Sequence, residues 1–304
     1  MHYNRAVSKA ILALIVASFA ASGGCEKKKS TGDTGAINAL DHATVDHGPV
    51  DETPLSGIDV SKLGDKQKAF YKLIGSLSSP CGKGESLRKS YTSDTSCKRA
   101  PFAVRYVAAL LADEGSETDV RQEYEKKYTA EVKPVKLDIS KSPHFGAEDA
   151  PIKLVEFFDY QCPHCQAFKP MLEQVVADEH GKVAEYFKMF PLPKHVDSKN
   201  ASQAALAAGQ MGKFKEMHDL LFAKSPAHTK DDVVGYAKQL GLDQAQFEVR
   251  YAAAAAAVDH DIAEGEAAGV DSTPTLFFND RKYEGPMHPK YIEMWIEEEL
   301  AVNR

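Results

Sequence analysis

Two of the five cysteines in this 304-residue chain, Cys162 and Cys165, are separated only by Pro163 and His164. They directly follow the apolar run "VEFFDYQ". A pair of thiols so spaced can exchange a disulfide, hold half of a zinc site, anchor a c-type haem or form an inert bridge. Haem attachment needs His immediately after the second Cys, and Gln166 stands there. Zinc needs two further ligands, and the nearest histidines, His144 and His195, show no paired spacing. An inert bridge between residues one helical turn apart would constrain little. Disulfide exchange is the reading that the flanking residues favour.

Cys162 falls where an apolar strand pattern gives way to a helical one. A helix N-terminus presents unpaired N–H groups and positive potential, which stabilise a thiolate. Pro163 has no N–H to lose and suits the first helical turn. His164 brings a possible positive charge and a donor. All three lower the pKa of the Cys162 thiol. Cys165 lies one turn further on, in reach of Cys162 but deeper, so Cys162 is expected to attack and Cys165 to resolve. Each unit of pKa depression favours the reduced form by about 1.4 kcal/mol, or about 30 mV for a two-electron couple. Several units would make the disulfide an oxidant.

The elements around the pair alternate. Val132–Ser140 is expected to be a short strand and Pro151–Tyr160 a second, buried on both faces. The helix that starts at Cys162 buries Phe168, Leu172, Val175 and Val176, and Lys182–Leu192 is a third strand. A helical stretch runs from Lys199 to Gly269, punctuated by Gly209, Gly241 and Gly269 and including the alanine run Ala252–Ala257. Pro274–Asp280 and Arg281–Gly285 are two further strands. A closing helix buries Ile292 and Trp295. This order predicts an α/β domain with one sheet and a helical insertion.

Upstream, residues 58–131 read as a small module of three helices. Apolar periodicity places Phe70, Leu73, Ile74 and Leu77 on one face, and Phe102, Val104, Val107, Leu110 and Leu111 on another. Ser116 and Asp119 are start signals for the third helix. Cys81 and Cys97 bracket a polar loop of this module, and a bridge closing it would stabilise by about 3 kcal/mol. A second redox pair is the alternative use.

The N-terminus carries Arg5 and Lys9, then the apolar run Ala10–Ala21, then "SGGC". Residues 1–24 therefore read as an export signal. Cys25 resembles the acylated first residue of a bacterial lipoprotein, although Ser22 stands where an aliphatic residue is usual. Ordinary cleavage nearby, leaving a free Cys25, is the other reading. Residues 25–57 are polar and aperiodic, as a tether is. If lipid takes Cys25, the four remaining cysteines fit the pairs 81–97 and 162–165, which spacing alone does not prove. Net charge is −7, which gives no nucleic-acid footprint.

On these residues the chain resembles the DsbA-like thioredoxin-fold proteins. "FGAEDAPIKLVEFFDYQCPHC" resembles their entry, strand and redox motif. "PLPKHVDSKNASQAALAAGQMGKFKEMHDLLF" resembles the loop and insertion helices, and "EGEAAGVDSTPTLFFNDRKYEG" the return to the sheet. The resemblance implies a thioredoxin-like fold over residues 132–304 with a helical insertion, preceded by the all-helical module. It implies that Thr273-Pro274 is a cis-proline loop packed against the sulfurs, where substrate binds. It also implies that Glu156 is a buried acid serving Cys165, that Lys188 pairs with Glu156 across the sheet, and that Pro170 kinks the helix.

The implied activity is donation of the Cys162–Cys165 disulfide to thiol-containing exported proteins, with no cofactor and no metal. A membrane reoxidant of the DsbB or vitamin-K-reductase kind would restore the bond. The place is the periplasmic face of a bacterial envelope, with the lipid on Cys25 as anchor. The alternatives are a reductase or isomerase, with the helical module as a dimerisation domain, or a lipid-anchored binding and assembly protein on the same fold.

Overall fold

The computed structural model describes residues 49–129 and 134–302. The expected signal, Cys25 and most of the expected tether lie outside the described residues. Packing begins before Gly57, where the tether was expected to end: Leu55 is buried and Val50 packs against the same cluster.

The first part is helical: a short 3-10 helix at Ser61–Lys66, then α1 (Gln67–Ser76), α2 (Leu87–Ser93), α3 (Ala100–Ala112) and α4 (Glu117–Tyr128). Phe70, Leu73, Ile74, Val104, Val107 and Leu111 form its core. The start of α4 is a capping box in which Ser116 and Asp119 each satisfy the other's backbone N–H. The bracketed polar loop, expected to be irregular, contains α2. Ser86 caps it by accepting from the Lys89 N–H, and Leu87 anchors it in the core. Cys81 and Cys97 are joined, with Cα atoms 5.8 Å apart.

The second part is built on a five-stranded sheet in the order β1-β3-β2-β4-β5. Its strands are β1 (His144–Phe145), β2 (Ile152–Phe158), β3 (Val183–Met189), β4 (Thr275–Phe278) and β5 (Arg281–Lys282). β2 and β3 are parallel, joined through helix α5 (Pro163–Asp178). The other pairings are antiparallel. One face of the sheet packs on α5 and on the last helix, α10 (Pro289–Val302), through Ile152, Leu154, Phe168, Leu172, Ile292 and Trp295. Val155, Phe157 and Phe277 occupy the opposite face.

Between β3 and β4 come α6 (Ser198–Gly209), α7 (Phe214–Lys224), α8 (Lys230–Gln239) and α9 (Gln244–Ala267). Their core joins Phe158, Tyr160 and Phe187 at the end of β2 and β3 where the cysteines lie. Gly265 lets α9 approach the sheet: a Cβ there would fall 2.7 Å from the Phe190 ring.

The strand expected at Val132–Ser140 is absent from the described residues 134–140. Val135, Leu137 and Ile139 do pack on the sheet's second face. At Asp138, however, side chains satisfy the backbone: its N–H donates to Glu264 at 2.6 Å and its carbonyl accepts from Lys188 Nζ at 2.7 Å, while the Val135 N–H makes a single backbone bond to the Asp280 carbonyl at 2.7 Å.

The helical module is fastened to α10. Glu298, buried, takes Arg99 at 2.5 Å, Lys127 at 2.9 Å and the Tyr128 hydroxyl at 2.9 Å. Lys127 also sits 4.2 Å from the centre of the Trp295 ring. Asp113 accepts from Lys290 and from the Tyr291 hydroxyl.

Candidate active site

Cys162 is the N-cap of α5, with extended backbone, and Pro163 occupies the first helical turn. This is the junction that the spacing predicted, and both thiols are free and buried. The two sulfurs are held in opposite ways. The Cys162 thiol is lowered to about 5. A hydrogen bond from the Cys165 thiol is the largest cause; contact with Thr273 and the backbone N–H groups of Cys165 and His164 add to it, against the cost of burial. The Cys165 thiol is pushed far up, by burial first and then by its bond to Cys162 and the nearby Glu156 charge. His164 lends its backbone N–H to the Cys162 sulfur, and its side chain is exposed.

Thr273 and Pro274 lie across from the thiols, and the peptide bond between them is cis. The Thr273 carbonyl oxygen lies 3.4 Å from Cys162 Sγ, within hydrogen-bond distance of the sulfur when it is protonated. Among the described residues the buried Thr273 hydroxyl has no hydrogen-bond partner.

Glu156 is buried on β2, and burial raises its carboxyl to about 8. Lys169 on α5 opposes the shift and Glu173 adds to it. Register settles the question of Lys188. Glu156 is opposite Phe187, whereas Lys188 is opposite Phe157 and so points to the other face. There Lys188 pairs with Asp261 at 2.9 Å and Glu264 at 2.8 Å on α9. The expected Glu156–Lys188 pair is therefore replaced by a neighbour that sequence reasoning missed. Glu185 lies opposite Leu154, on the face of Glu156, and is also buried. Its carboxyl is raised by burial and by the Glu156 charge. Strict alternation along "VAEYFKM" could have revealed it, but only once the register was known. Pro170 lies within α5, where its missing N–H leaves the Gln166 carbonyl without the usual helical partner.

Of the other candidates, His144 is on β1 and stacks on Tyr186. His195 gives its Nδ1 to Asp159 at 2.6 Å. Neither histidine joins the thiols as a ligand set. Cys81 and Cys97 are bonded to each other in the helical module.

A family model described as Thioredoxin matches residues 139–298. Among curated proteins, the Na(+)/H(+) antiporter NhaA 3 of Salinispora tropica is 33% identical over 144 residues, covering 46% of this chain and 22% of that protein. NhaA 1 of Salinispora arenicola is 34% identical over 143 residues, with the same coverage. The chain thus spans about a fifth of the length of these relatives. Among solved structures, oxidised BdbD from Bacillus subtilis aligns with a TM-score of 0.50 at 24% identity, over 56% of this chain and 98% of that one. A thioredoxin-like oxidoreductase from Silicibacter pomeroyi aligns at 0.47 and 26%, over 52% and 91%. The likeness to BdbD is one of fold.

Proposed function

The chain belongs to the thioredoxin family, and from that premise we propose that it is a DsbA-like thiol–disulfide oxidoreductase that donates the Cys162–Cys165 disulfide to exported proteins. The observation that carries the direction is the opposed ionisation of the two sulfurs. A Cys162 thiol that ionises near 5 stabilises the reduced pair. At pH 7 the ionisation is worth about two units, or roughly 60 mV toward the oxidising side.

A substrate thiolate attacks Cys162 Sγ, the Cys162–Cys165 bond breaks, and Cys165 departs with the electron pair. Because the Cys165 thiolate is strongly disfavoured, it must be protonated as it leaves. Glu156, with a carboxyl near 8, is still protonated at neutral pH and supplies that proton. The substrate's second thiolate then attacks the substrate sulfur of the mixed disulfide, and Cys162 leaves as a stable thiolate. The substrate is oxidised by two electrons and the pair is reduced by two. The Thr273-Pro274 segment lies where an extended substrate would meet the sulfurs, and its backbone offers pairing groups to that chain.

Turnover requires a reoxidant, for which a membrane protein of the DsbB or vitamin-K-reductase kind is suited. The Cys25 lipid and the export signal would place the domain on the periplasmic face of the envelope. Residues 58–131 are proposed as a module of their own, held to residues 132–304 by the contacts of Glu298 and Asp113.

Equilibration with glutathione tests the direction. The expected potential lies above about −220 mV, and a value near thioredoxin's, about −270 mV, would refute the oxidase reading.

A further inference from the structure

The tripeptide Asp159-Tyr160-Gln161 leads from β2 into Cys162, and each of its side chains is tied to the helical insertion or the loop before it. Tyr160 bonds His218 Nδ1 at 3.0 Å. Gln161 accepts from the Asp197 N–H at 3.2 Å and donates to the Pro226 carbonyl at 2.7 Å. Asp159 is the centre of the arrangement and is wholly buried. Its Oδ1 accepts from the Gln161 N–H at 2.7 Å and from the Ser198 hydroxyl. Its Oδ2 accepts from the Leu192 N–H at 2.7 Å and faces His195 Nδ1 at 2.6 Å. Four bonds use the whole accepting capacity of a carboxylate. The Asp159 carbonyl, in turn, accepts from the Cys162 N–H at 3.1 Å.

A buried carboxylate is costly unless every lone pair is engaged. An apolar side chain would fill this space without that cost, but it could not hold the turn. Among the described residues no lysine or arginine pairs with Asp159. Its task is therefore that of an acceptor hub. The N–H groups of His164 and Cys165 reach the Cys162 sulfur only if the first turn of α5 is correctly oriented, and the turn from Asp159 to Cys162 sets that orientation.

We propose that Asp159 is a positioning residue for the redox pair, held in place by His195 and Ser198: it aims the first turn of α5 at the Cys162 sulfur and couples the pair to the 192–198 loop. This rests on the reading of Cys162 as the attacking thiol.

The test uses the full reduced chain and the variants Asp159→Ala, Asp159→Asn, His195→Ala and Ser198→Ala. Near-ultraviolet circular dichroism checks folding, and thiolate absorbance against pH and the glutathione equilibrium are the readouts. Asp159→Ala is expected to raise the Cys162 midpoint by about one unit and to move the potential by about 30 mV toward reduction. Asp159→Asn, which keeps one accepting oxygen and turns the other into a donor, recovers only part of this. His195→Ala and Ser198→Ala shift the midpoint the same way by less. A folded Asp159→Ala protein with unchanged midpoint and potential overturns the proposal. So does a lowered midpoint, which is what losing a negative charge alone would produce. Should Asp159→Ala not fold, unchanged midpoints in both His195→Ala and Ser198→Ala overturn it. A wild-type midpoint like that of an ordinary thiol overturns the premise and the proposal together, whereas an acidic wild type with unmoved variants overturns the proposal alone.

Discussion

Replacing Glu156 by leucine should stabilise the protein, and by more as the pH rises from 5 to 8. Burial lifts this carboxyl from its usual 4.5 to about 8. Between those values the folded chain keeps a proton that the unfolded chain has released. Stability therefore falls as pH rises, by about 1.4 kcal/mol per unit for this one group. At pH 7, some 2.5 units above the unfolded value, the penalty is about 3 kcal/mol. Leucine removes the titration and fills similar space. Glu185 remains on the same face, so the informative quantity is the difference between the two stability curves. Urea unfolding of the wild type and Glu156→Leu, at several pH values and in one redox state, gives it. Parallel curves, or a wild type that gains stability relative to the variant as pH rises, would refute the argument. The same proton is the one proposed to serve Cys165. Glu156→Gln keeps the shape and loses the proton, so release of Cys165 should slow while thiolate formation at Cys162 changes little.

Cys162→Ser should abolish exchange, whereas in Cys165→Ser the Cys162 thiolate should attack a disulfide-bonded substrate, expel one substrate thiolate and accumulate as the mixed disulfide that Cys165 is no longer there to resolve, visible as a mass shift that reductant removes. Replacing Cys81 and Cys97 together by alanine should cost about 3 kcal/mol of stability by denaturant unfolding, with the Cys162 midpoint unmoved. Lys127→Ala removes the lysine paired with the buried Glu298, which keeps Arg99 and the Tyr128 hydroxyl, and leaves Arg281 as the remaining cation over the Trp295 ring. A loss of about 3 kcal/mol is expected, and an unchanged unfolding midpoint would show that the Lys127 contacts with Glu298 and Trp295 are dispensable.

The redox turn was legible because it is local. A strand pattern, Cys-Pro-His-Cys and a helical pattern follow one another without a gap, and each implies the next. The Ser116–Asp119 cap was legible for the same reason. What escaped depends on register or on distant chain. Lys188 and Glu185 are three residues apart on one strand and serve opposite faces, and only the pairing of β2 with β3 decides which of them faces Glu156. The segment before β1 has a strand's alternation, yet Glu264 and Lys188 take the N–H and carbonyl of Asp138. Helix α2 was hidden in a polar stretch because one leucine and one serine cap suffice for its seven residues. Asp159 gave no sign of its part, since its partners Leu192, His195 and Ser198 lie more than thirty residues away.

The most direct test is to titrate ultraviolet thiolate absorbance in the reduced chain, with Cys165→Ser as a check on assignment. A single Cys162 transition with its midpoint near 5 is expected in the wild type. A midpoint near the ordinary thiol value, about 8.5, would contradict the claim that this sulfur is held ready as a thiolate.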